Sequence, residues 1–555
     1  MSFPASLYSA VSTVSPSFIF ALALPALILA ATYVYTTIRY RFILPKYTSP
    51  SSKPQSPPKI PYVVPFLGHS LAFLVPLPGH FWTRLVAKHP RSTGACTLML
   101  GGQQAHVLFD PTAVQATFKA RGPTRDRFNY QVMENSMGMK RSEVKKFYGL
   151  EEPTSDEKDR DPRFESHETQ YDYVLRADRM NELTDVFTRK LEEELGKDKR
   201  LNDGKELEIG LATWLRDQML KALTCACLGK RLLEVYPELT EDYWKFDKAM
   251  MALFLGLPKF IIPEHFKARD TVLSGLQRWH EVAWEECKGQ PLDPDAASWD
   301  PIYGCRLTRG RQRLYMYKGL TTQSKAASDL GIIFALSSNA IPTFCWMMLH
   351  ILDPNADKTL LPRVLAELET ARSDDGINVP VLVSLPLIQS IFQETLRLYT
   401  DVLVTRDVHA DLALPVDEGK RQVQFRKGDL VLVPTWLGHR DEGRWNNPPH
   451  DVFYAERFLK RNPDTGKDTF TMGGAAGKLF PFGGGKTICP GRLFAKQGIL
   501  SAVAMVLLNY DIQPLNFLDG SGKEIDKFPC LAKRFSGNGI IALEGDMQVR
   551  MKRRS

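Results

Sequence analysis

The clearest pattern along the chain is an uninterrupted apolar run near its beginning. Residues 18–38 read FIFALALPALILAATYVYTTI, 21 positions without a charged side chain. About 20 apolar residues suffice to cross a bilayer as a helix, so the run predicts a transmembrane helix. A buried core helix is the alternative, but such a helix rarely opens a chain. A cleavable signal peptide is disfavoured, because no basic residue precedes the run and the run is long.

Basic residues follow the apolar run at once, at Arg39, Arg41 and Lys46. Because positive residues favour the cytosolic side of a membrane, they predict a lumenal residue range 1–17 and a cytosolic remainder. Residues 39–60 are basic and then rich in Pro and Ser, which predicts a stiff linker, non-helical in its Pro-rich part.

Residues 61–555 show no second linker and no repeat, so they are predicted to form one catalytic domain. Residues 151–170 are charge-dense and are predicted to be a solvated loop. Helical periodicity recurs in NELTDVFTRKLEEELGKD, ATWLRDQMLKALTCACLG, SDLGIIFALSSNAIPTFCWMMLHIL and PLIQSIFQETLRLY, and strand-like runs occur in GACTLMLGG, QQAHVLFD and DLVLVPTW. The predicted fold class is therefore mainly α with a minor β-sheet.

Composition narrows the class of protein only a little. The hydrophobic share of 44% and charged share of 24% are those of a globular chain. Eight scattered cysteines without a CxxC pair predict free thiols in a reducing compartment and argue against a zinc site. The net charge of +8 favours an acidic protein partner or an anionic membrane surface over nucleic acid, for which no other signal is present.

One cysteine lies among glycines in FPFGGGKTICPGRLFA, residues 480–495. Phe482, Gly485, Cys489, Gly491 and Ala495 match the pattern F-x-x-G-x-x-x-C-x-G-x-x-x-A, and the stretch resembles the haem-binding loop of the cytochrome P450 family. The resemblance implies a P450 fold behind the transmembrane helix. It also implies haem b as cofactor, with the Cys489 thiolate as iron ligand and Phe482, Gly485 and Gly491 shaping the loop. Glycines suit this role because they let the backbone approach a flat macrocycle.

Two further stretches resemble the same family. QETLRLY supplies Glu394 and Arg397 as its E-x-x-R pair, and NPPHDVFYAERFLK resembles its P-E-R-F segment with Arg457. The resemblance implies that these three residues form a buried structural network behind the haem. It also implies Arg406 as a partner of a haem propionate. The chain departs from the family at Thr487, where an Arg or His that binds a propionate is usual.

The helix on the oxygen side of the haem departs from the usual P450 pattern as well. In FALSSNAIPTFCW, Ser338 and Asn339 occupy the positions of the acid and threonine that deliver protons in most P450s. Pro342 has no N–H for the Ser338 carbonyl, so the helix is predicted to kink there. These features, with TICPGRLFA, resemble the branch of the sterol 7α- and 12α-hydroxylases and prostacyclin synthase. Residues 246–260 resemble the substrate roof of the 7α-hydroxylases.

The resemblance implies a membrane-bound haem-thiolate monooxygenase of the endoplasmic reticulum, single-pass, with its catalytic domain in the cytosol. Its electrons would come from NADPH through cytochrome P450 reductase, with cytochrome b5 as a possible second donor. Its substrate would be lipophilic: a sterol, triterpenoid or other terpenoid. Ala335, Ile341 and residues 250–263 are predicted pocket positions, and Ser338 and Asn339 the residues that order proton delivery.

Two alternatives stay open at this level. The first is a P450-type isomerase or dehydratase that rearranges a peroxide without O2 or reductase, which Asn339 permits because prostacyclin synthase shares that feature. The second is a non-catalytic haem sensor or scaffold. The monooxygenase is preferred because the cysteine loop, the E-x-x-R pair and the kinked helix occur together.

Overall fold

Helices make up most of the fold, and their apolar stripes build its core. The computed structural model describes residues 16–49, 53–150, 163, 166–201, 205–374 and 376–554. The α-helices of these residues are α1 (Pro16–Thr48), α2 (Ser70–Phe73), α3 (His80–Lys88), α4 (Pro111–Lys119), α5 (Asp126–Gln131), α6 (Arg141–Phe147), α7 (His167–Val174), α8 (Ala177–Gly196), α9 (Leu211–Leu228), α10 (Lys230–Val235), α11 (Leu239–Phe254), α12 (Pro263–Glu286), α13 (Arg306–Tyr317), α14 (Thr322–Ser337), α15 (Ala340–Leu352), α16 (Leu360–Glu369), α17 (Val379–Leu382), α18 (Pro386–Tyr399), α19 (Thr435–His439) and α20 (Arg492–Asn509).

The strands are short and form two larger sheets and several hairpins. They are β1 (Ala95–Leu100), β2 (Gln103–Leu108), β3 (Leu207–Gly210), β4 (Trp299–Asp300), β5 (Gly304–Cys305), β6 (Arg372–Ser373), β7 (Gly376–Ile377), β8 (Thr400–Asp407), β9 (Leu412–Val416), β10 (Arg421–Phe425), β11 (Leu430–Pro434), β12 (Leu459–Arg461), β13 (Asp468–Phe470), β14 (Tyr510–Leu518), β15 (Glu524–Ile525), β16 (Cys530–Leu531), β17 (Asn538–Ile540), β18 (Leu543–Glu544) and β19 (Asp546–Arg553).

The five-stranded sheet has the order β1-β2-β11-β8-β17, and the four-stranded sheet has the order β15-β14-β19-β3. Strand β17 comes from near the end of the chain and pairs antiparallel with β8, so that Ile540 lies opposite Thr400. Strand β8 therefore lies between β11, which follows it closely in sequence, and β17, which lies near the end of the chain.

The helical core forms where amphipathic helices meet α20. On α8 the residues Leu183, Phe187 and Leu191 recur at four-residue intervals and are buried, which makes one apolar stripe. Phe187 meets Phe494 of α20 edge to face, with ring centroids 6.0 Å apart. Gly498 of α20 lies directly beneath the Phe187 ring, and a Cβ there would be 3.4 Å from it. Helices α15 and α18 also pack on α20.

The first helix is longer than the apolar run that predicted it. Helix α1 continues to Thr48, so the first ten residues of the predicted linker are helical. The charges that end the apolar run do not end the helix, because Lys and Arg are good helix formers. Its second half contacts the domain: Tyr40 Oη lies 2.5 Å from His89 Nδ1, and Thr36 Oγ1 donates to Tyr62 O at 3.1 Å.

The prediction of a mainly α fold with a minor sheet is confirmed. The four helical patterns correspond to α8, α9, the α14–α15 pair and α18. Most of the charge-dense interval 151–170 lies outside the described residues, although residues 167–170 already belong to α7 rather than to a loop. All eight cysteines are free.

Two segments of the described residues are long and apolar enough to cross a membrane, Thr322–Leu352 and Arg492–Asn509. Their apolar windows are 72% and 67% buried inside the fold. Burial of this extent is typical of core helices.

Candidate active site

The cysteine loop is a tight hairpin that ends at the first turn of α20. The Cys489 N–H donates to Phe482 O at 2.9 Å, which closes the loop. Gly483 and Gly485 have φ angles of 72° and 67°, in the left-handed region that favours glycine. A turn of 3-10 helix, Gly485–Thr487, begins at the second of these glycines and leads to the cysteine.

The glycines also let the loop lie against α4. A Cβ on Gly484 would overlap the Phe118 ring, and a Cβ on Gly485 would overlap the Phe118 carbonyl oxygen. The Phe118 ring meets Phe480 edge to face at 5.5 Å. The loop is therefore held by close packing from the α4 side, which leaves its opposite side for a ligand.

Opposing influences act on the Cys489 thiol. Burial raises its pKa, whereas the N–H groups of Gly491 and Arg492 and the guanidinium groups of Arg125 and Arg492 lower it. These N–H groups open α20, and the start of a helix favours negative charge. The side chain is thus surrounded by groups that stabilise a thiolate once a metal replaces its proton.

A cationic corner lies beside the loop. The Arg406 guanidinium is buried and donates to Gly484 O and Thr405 O, both at 2.8 Å. Burial, reinforced by the neighbouring charge of Arg125, lowers its pKa to about 10. Thr487 Oγ1 is buried without a hydrogen-bond partner among the described residues. Two guanidinium groups and an unsatisfied hydroxyl beside Cys489 are suited to an anionic ligand.

The E-x-x-R pair lies in a fully buried network. Glu394 accepts from Arg397 Nε at 2.7 Å and Arg397 Nη2 at 2.9 Å, and from Arg457 Nε at 2.9 Å. Arg397 Nη1 also donates to His439 O and His450 O, at 3.0 and 2.7 Å. The side chains of Glu394 and Arg397 are 0% exposed. The network joins α18 to the segment before the cysteine loop, and none of these contacts involves the loop itself.

The helix interruption lies just before Pro342. Helix α14 ends at Ser337 and α15 begins at Ala340, which leaves Ser338 and Asn339 between them. Pro342 cannot donate to the Ser338 carbonyl, in agreement with the predicted kink. The Asn339 carbonyl is instead capped by Thr343, whose N–H and Oγ1 lie at 3.2 and 2.7 Å.

One face of α14 is left open beside this interruption. Gly331, Ala335 and Asn339 follow at four-residue intervals and are accessible, whereas Leu330 and Ile333 are buried. Small accessible residues on an otherwise largely buried helix leave open space along that face. Phe246 of α11 packs edge to face on Phe334 of α14, with centroids 6.3 Å apart. Helix α11 therefore covers the same region.

Strand β8 connects the cysteine loop with the helix interruption. Arg406 of β8 binds Gly484 of the loop, and β17 pairs with the other end of β8. Ile540 of β17 donates its N–H to Asn339 Oδ1 at 2.9 Å. Strands β8 and β17 therefore connect the cysteine loop, at Arg406, with the helix interruption, at Asn339.

Comparison with known proteins agrees with this geometry. The sequence profile of the cytochrome P450 family matches residues 58–531. This chain is a cytochrome P450. It is 28% identical over 90% of both chains to the cytochrome P450 monooxygenase efuG of Hormonema carpetanum, and 30% identical to the cytochrome P450 monooxygenase fsoE of Humicola fuscoatra, over 90% of this chain and 88% of that one. It is also 28% identical to cholesterol 7-alpha-monooxygenase of Cricetulus griseus, over 56% of this chain and 58% of that one.

The P450 assignment makes the chain an oxidoreductase with a haem cofactor. The residues present suit that group. Cys489 offers a thiolate, the glycine loop leaves a flat approach, and Arg406, Arg125 and Thr487 can bind the anionic propionates. Thr487, which lacks the usual charge, still offers its unsatisfied hydroxyl.

Sequence reasoning missed Arg125, which lies immediately before α5. No motif marks this residue, and only the fold brings it within electrostatic reach of Cys489 and Arg406. One predicted pocket position is wrong: Ile341 is 1% exposed and packs in the helical core, because α15 turns it away from the open face. Ala335 does lie on that face.

The predicted roof, residues 250–263, divides into two parts. Its first part belongs to α11, where Met250 and Leu253 are buried, and the Phe254 carbonyl accepts from Gln131 Nε2 and Asn135 Nδ2 at 3.1 and 3.2 Å. Its second part is a loop in which Phe260 is 84% exposed. The roof thus reaches from the buried part of α11 to the protein surface.

Proposed function

We propose that this P450 is a membrane-anchored monooxygenase that hydroxylates or oxidises a lipophilic polycyclic substrate such as a sterol, triterpenoid or other terpenoid. The accessible face of α14, formed by small residues and Asn339, is the observation that supports this most directly. Because the side chains on this face of α14 are small, the space between α14 and the α11 roof can accept a broad, rigid hydrocarbon. The similarity to cholesterol 7-alpha-monooxygenase supports the same substrate class.

A bound haem would supply oxygen activation, and the chain's own residues would hold it. Cys489 would bind the iron as thiolate, and Arg406, Arg125 and Thr487 would bind the propionates. Ser338 and Asn339 lie where the helix is open, so their side chains can order water for proton delivery. The Asn339 amide nitrogen lies 3.4 Å from Ser338 Oγ.

Membrane attachment is supported by the surface of the first helix. Many of its described apolar residues are exposed: Leu27 is 69% exposed and Tyr35 is 64% exposed. Exposed apolar surface of this kind is typical of lipid contact. Phe260 and Ile261 of the roof loop are also exposed, which provides a second apolar point on the surface. We propose an endoplasmic reticulum location with the catalytic domain in the cytosol.

The redox partner is proposed to be NADPH-cytochrome P450 reductase, with cytochrome b5 as an accessory donor. The net charge of +8 supports an acidic protein partner. The peroxide-isomerase alternative has no separate observation in its favour, because an asparagine at the position of Asn339 is compatible with both kinds of enzyme. It is therefore treated as an outcome of the experiment.

The experiment is expression of the full chain in microsomes together with a reductase. The wild type should give the reduced-CO difference spectrum of a thiolate-ligated haem, and Cys489→Ala should lose both this spectrum and NADPH-dependent product formation. Cys530→Ala is the matched control, since Cys530 is exposed and distant in sequence from the loop. A spectral binding screen across sterols and terpenoids then identifies the substrate class.

Three results would contradict the proposal. A wild type without the thiolate spectrum would remove the haem-thiolate assignment. Turnover of a hydroperoxide without NADPH and reductase would show the isomerase instead. A screen in which only polar or acyclic compounds perturb the spectrum would exclude the polycyclic substrate class.

A further inference from the structure

The side chain of Asn339 is already engaged by the end of the chain. Its Oδ1 accepts the Ile540 N–H at 2.9 Å, across 201 sequence positions. Gly539 has φ of 130°, and a Cβ there would overlap the same Oδ1 atom. The amide oxygen and the glycine therefore fit one another, and any larger residue at position 539 would separate them.

The segment that Asn339 binds is fixed at other points by different elements. Trp346 Nε1 of α15 donates to Ile541 O at 2.7 Å, and Ile541 N–H donates to Tyr399 O at 2.9 Å. Further upstream, Arg534 Nη2 lies 2.6 Å from Asp247 Oδ2 of the α11 roof. Residues 534–541, here called the C-terminal wall, thus join the roof, β8 and the helix interruption.

We propose that Asn339 is a positioning residue that holds the C-terminal wall against the oxygen side of the cavity and so sets its width. This inference rests on the proposed function and refines it. Because the Ile540 N–H takes one of the two lone pairs of Oδ1, Asn339 has one acceptor site and its amide nitrogen left to order water, together with Ser338. The residue at this position therefore selects which ligands fit beside the haem, in addition to any part it has in proton delivery.

Asn339→Ala and Gly539→Ala test the contact from its two sides. Both should open it, and Gly539→Ala does so without altering the residue at the helix interruption. Gly522→Ala is the control, because Gly522 also has a positive φ, of 83°, but no atom lies within 4 Å of its added Cβ. Asn339→Asp keeps an oxygen acceptor for the Ile540 N–H.

Hydrogen exchange of the Ile540 amide is the first measurement. Loss of one neutral hydrogen bond should speed exchange about fivefold in Asn339→Ala and in Gly539→Ala. Asn339→Asp and Gly522→Ala should stay close to the wild type. The double variant should be no faster than either single variant, because both break the same bond.

Ligand binding to the haem is the second measurement, with imidazole and 4-phenylimidazole as probes. The affinity for imidazole, which is small, should be unchanged in all variants. The affinity for 4-phenylimidazole should change about tenfold in Asn339→Ala and Gly539→Ala, since only the larger probe is sensitive to the width of the cavity. A side chain that acted in proton delivery alone would leave both affinities unchanged.

The proposal is overturned if Asn339→Ala leaves Ile540 exchange at the wild-type rate, or if Gly539→Ala behaves like Gly522→Ala in both measurements. Failure of the proposed function is distinguishable from this. It would appear as a missing thiolate spectrum in the wild type, whereas hydrogen exchange tests the contact without using the haem.

Discussion

Glu394→Gln is the substitution whose effect the structure defines best. Glu394 is fully buried and accepts four hydrogen bonds, two from Arg397, one from Arg457 and one from the Tyr454 N–H at 3.1 Å. Glutamine has almost the same shape but no charge and only one acceptor oxygen. It would leave two buried guanidinium groups without a counter-charge and would turn an NH2 group toward one of them.

The expected cost follows from the burial of all the charges. Breaking a buried ion pair by removing one partner costs about 3–5 kcal/mol. The charge-assisted hydrogen bond from Arg397 Nε to Oε2, which glutamine cannot accept when its oxygen takes the Oε1 position, accounts for about 1.5–3 kcal/mol of this cost. Against a typical total stability of about 5–15 kcal/mol, this change is large enough to lower the yield of haem-loaded protein.

The assay is a urea titration in which far-UV circular dichroism and the reduced-CO spectrum are followed on the same samples. Glu456→Gln is the matched control, because Glu456 pairs with Arg363 at 2.5 Å but the two side chains are 25% and 41% exposed. An exposed pair of this kind contributes about 0–1 kcal/mol. If Glu394→Gln shifts the urea midpoint no more than Glu456→Gln does, the buried network does not stabilise the fold and the reasoning is refuted.

Three further predictions concern the wall and the haem site. Burial raises the pKa of Asp401 to about 6, so the native state retains a proton that the unfolded state releases, and stability falls as pH rises from about 4 to about 6. The free energy of unfolding of Asp401→Asn, relative to that of the wild type, should therefore rise by up to about 3 kcal/mol between these pH values. Equal differences in urea midpoint between variant and wild type at pH 4 and pH 7 would contradict this. Gly485→Ala, strained at φ 67° and overlapping Phe118 O, should lower the haem-to-protein ratio, whereas Gly522→Ala should not. Arg406→Leu should release haem to apomyoglobin at least about tenfold faster, with Arg406→Lys in between; equal rates would exclude Arg406 as a propionate partner.

Much of the assignment of family and motifs followed from local sequence patterns. The cysteine loop is a contiguous stretch, and Glu394 and Arg397 lie one helical turn apart, so covalent neighbours bring each set together. Pro342 likewise determines its own interruption, because the missing N–H affects a carbonyl in the preceding turn. Such features are readable from sequence since few other contacts can alter them.

Helix ends and side-chain directions could not be predicted from sequence, also for physical reasons. Hydropathy marks where an apolar run ends but not where its helix ends, and α1 continues to Thr48. A position near a motif does not reveal the direction of its side chain, and Ile341 is turned into the core. Both depend on packing against elements that are distant along the chain.

The sequence by itself determined the family of this protein, the cysteine loop that marks it and the site of the helix interruption. Only the tertiary structure decided what surrounds them. Arg125 comes within electrostatic reach of Cys489, and Ile540 donates to Asn339, because folding closes long loops and satisfies buried polar groups with the partners that the packed chain brings near. That selection depends on the whole core, so no local pattern could have predicted it.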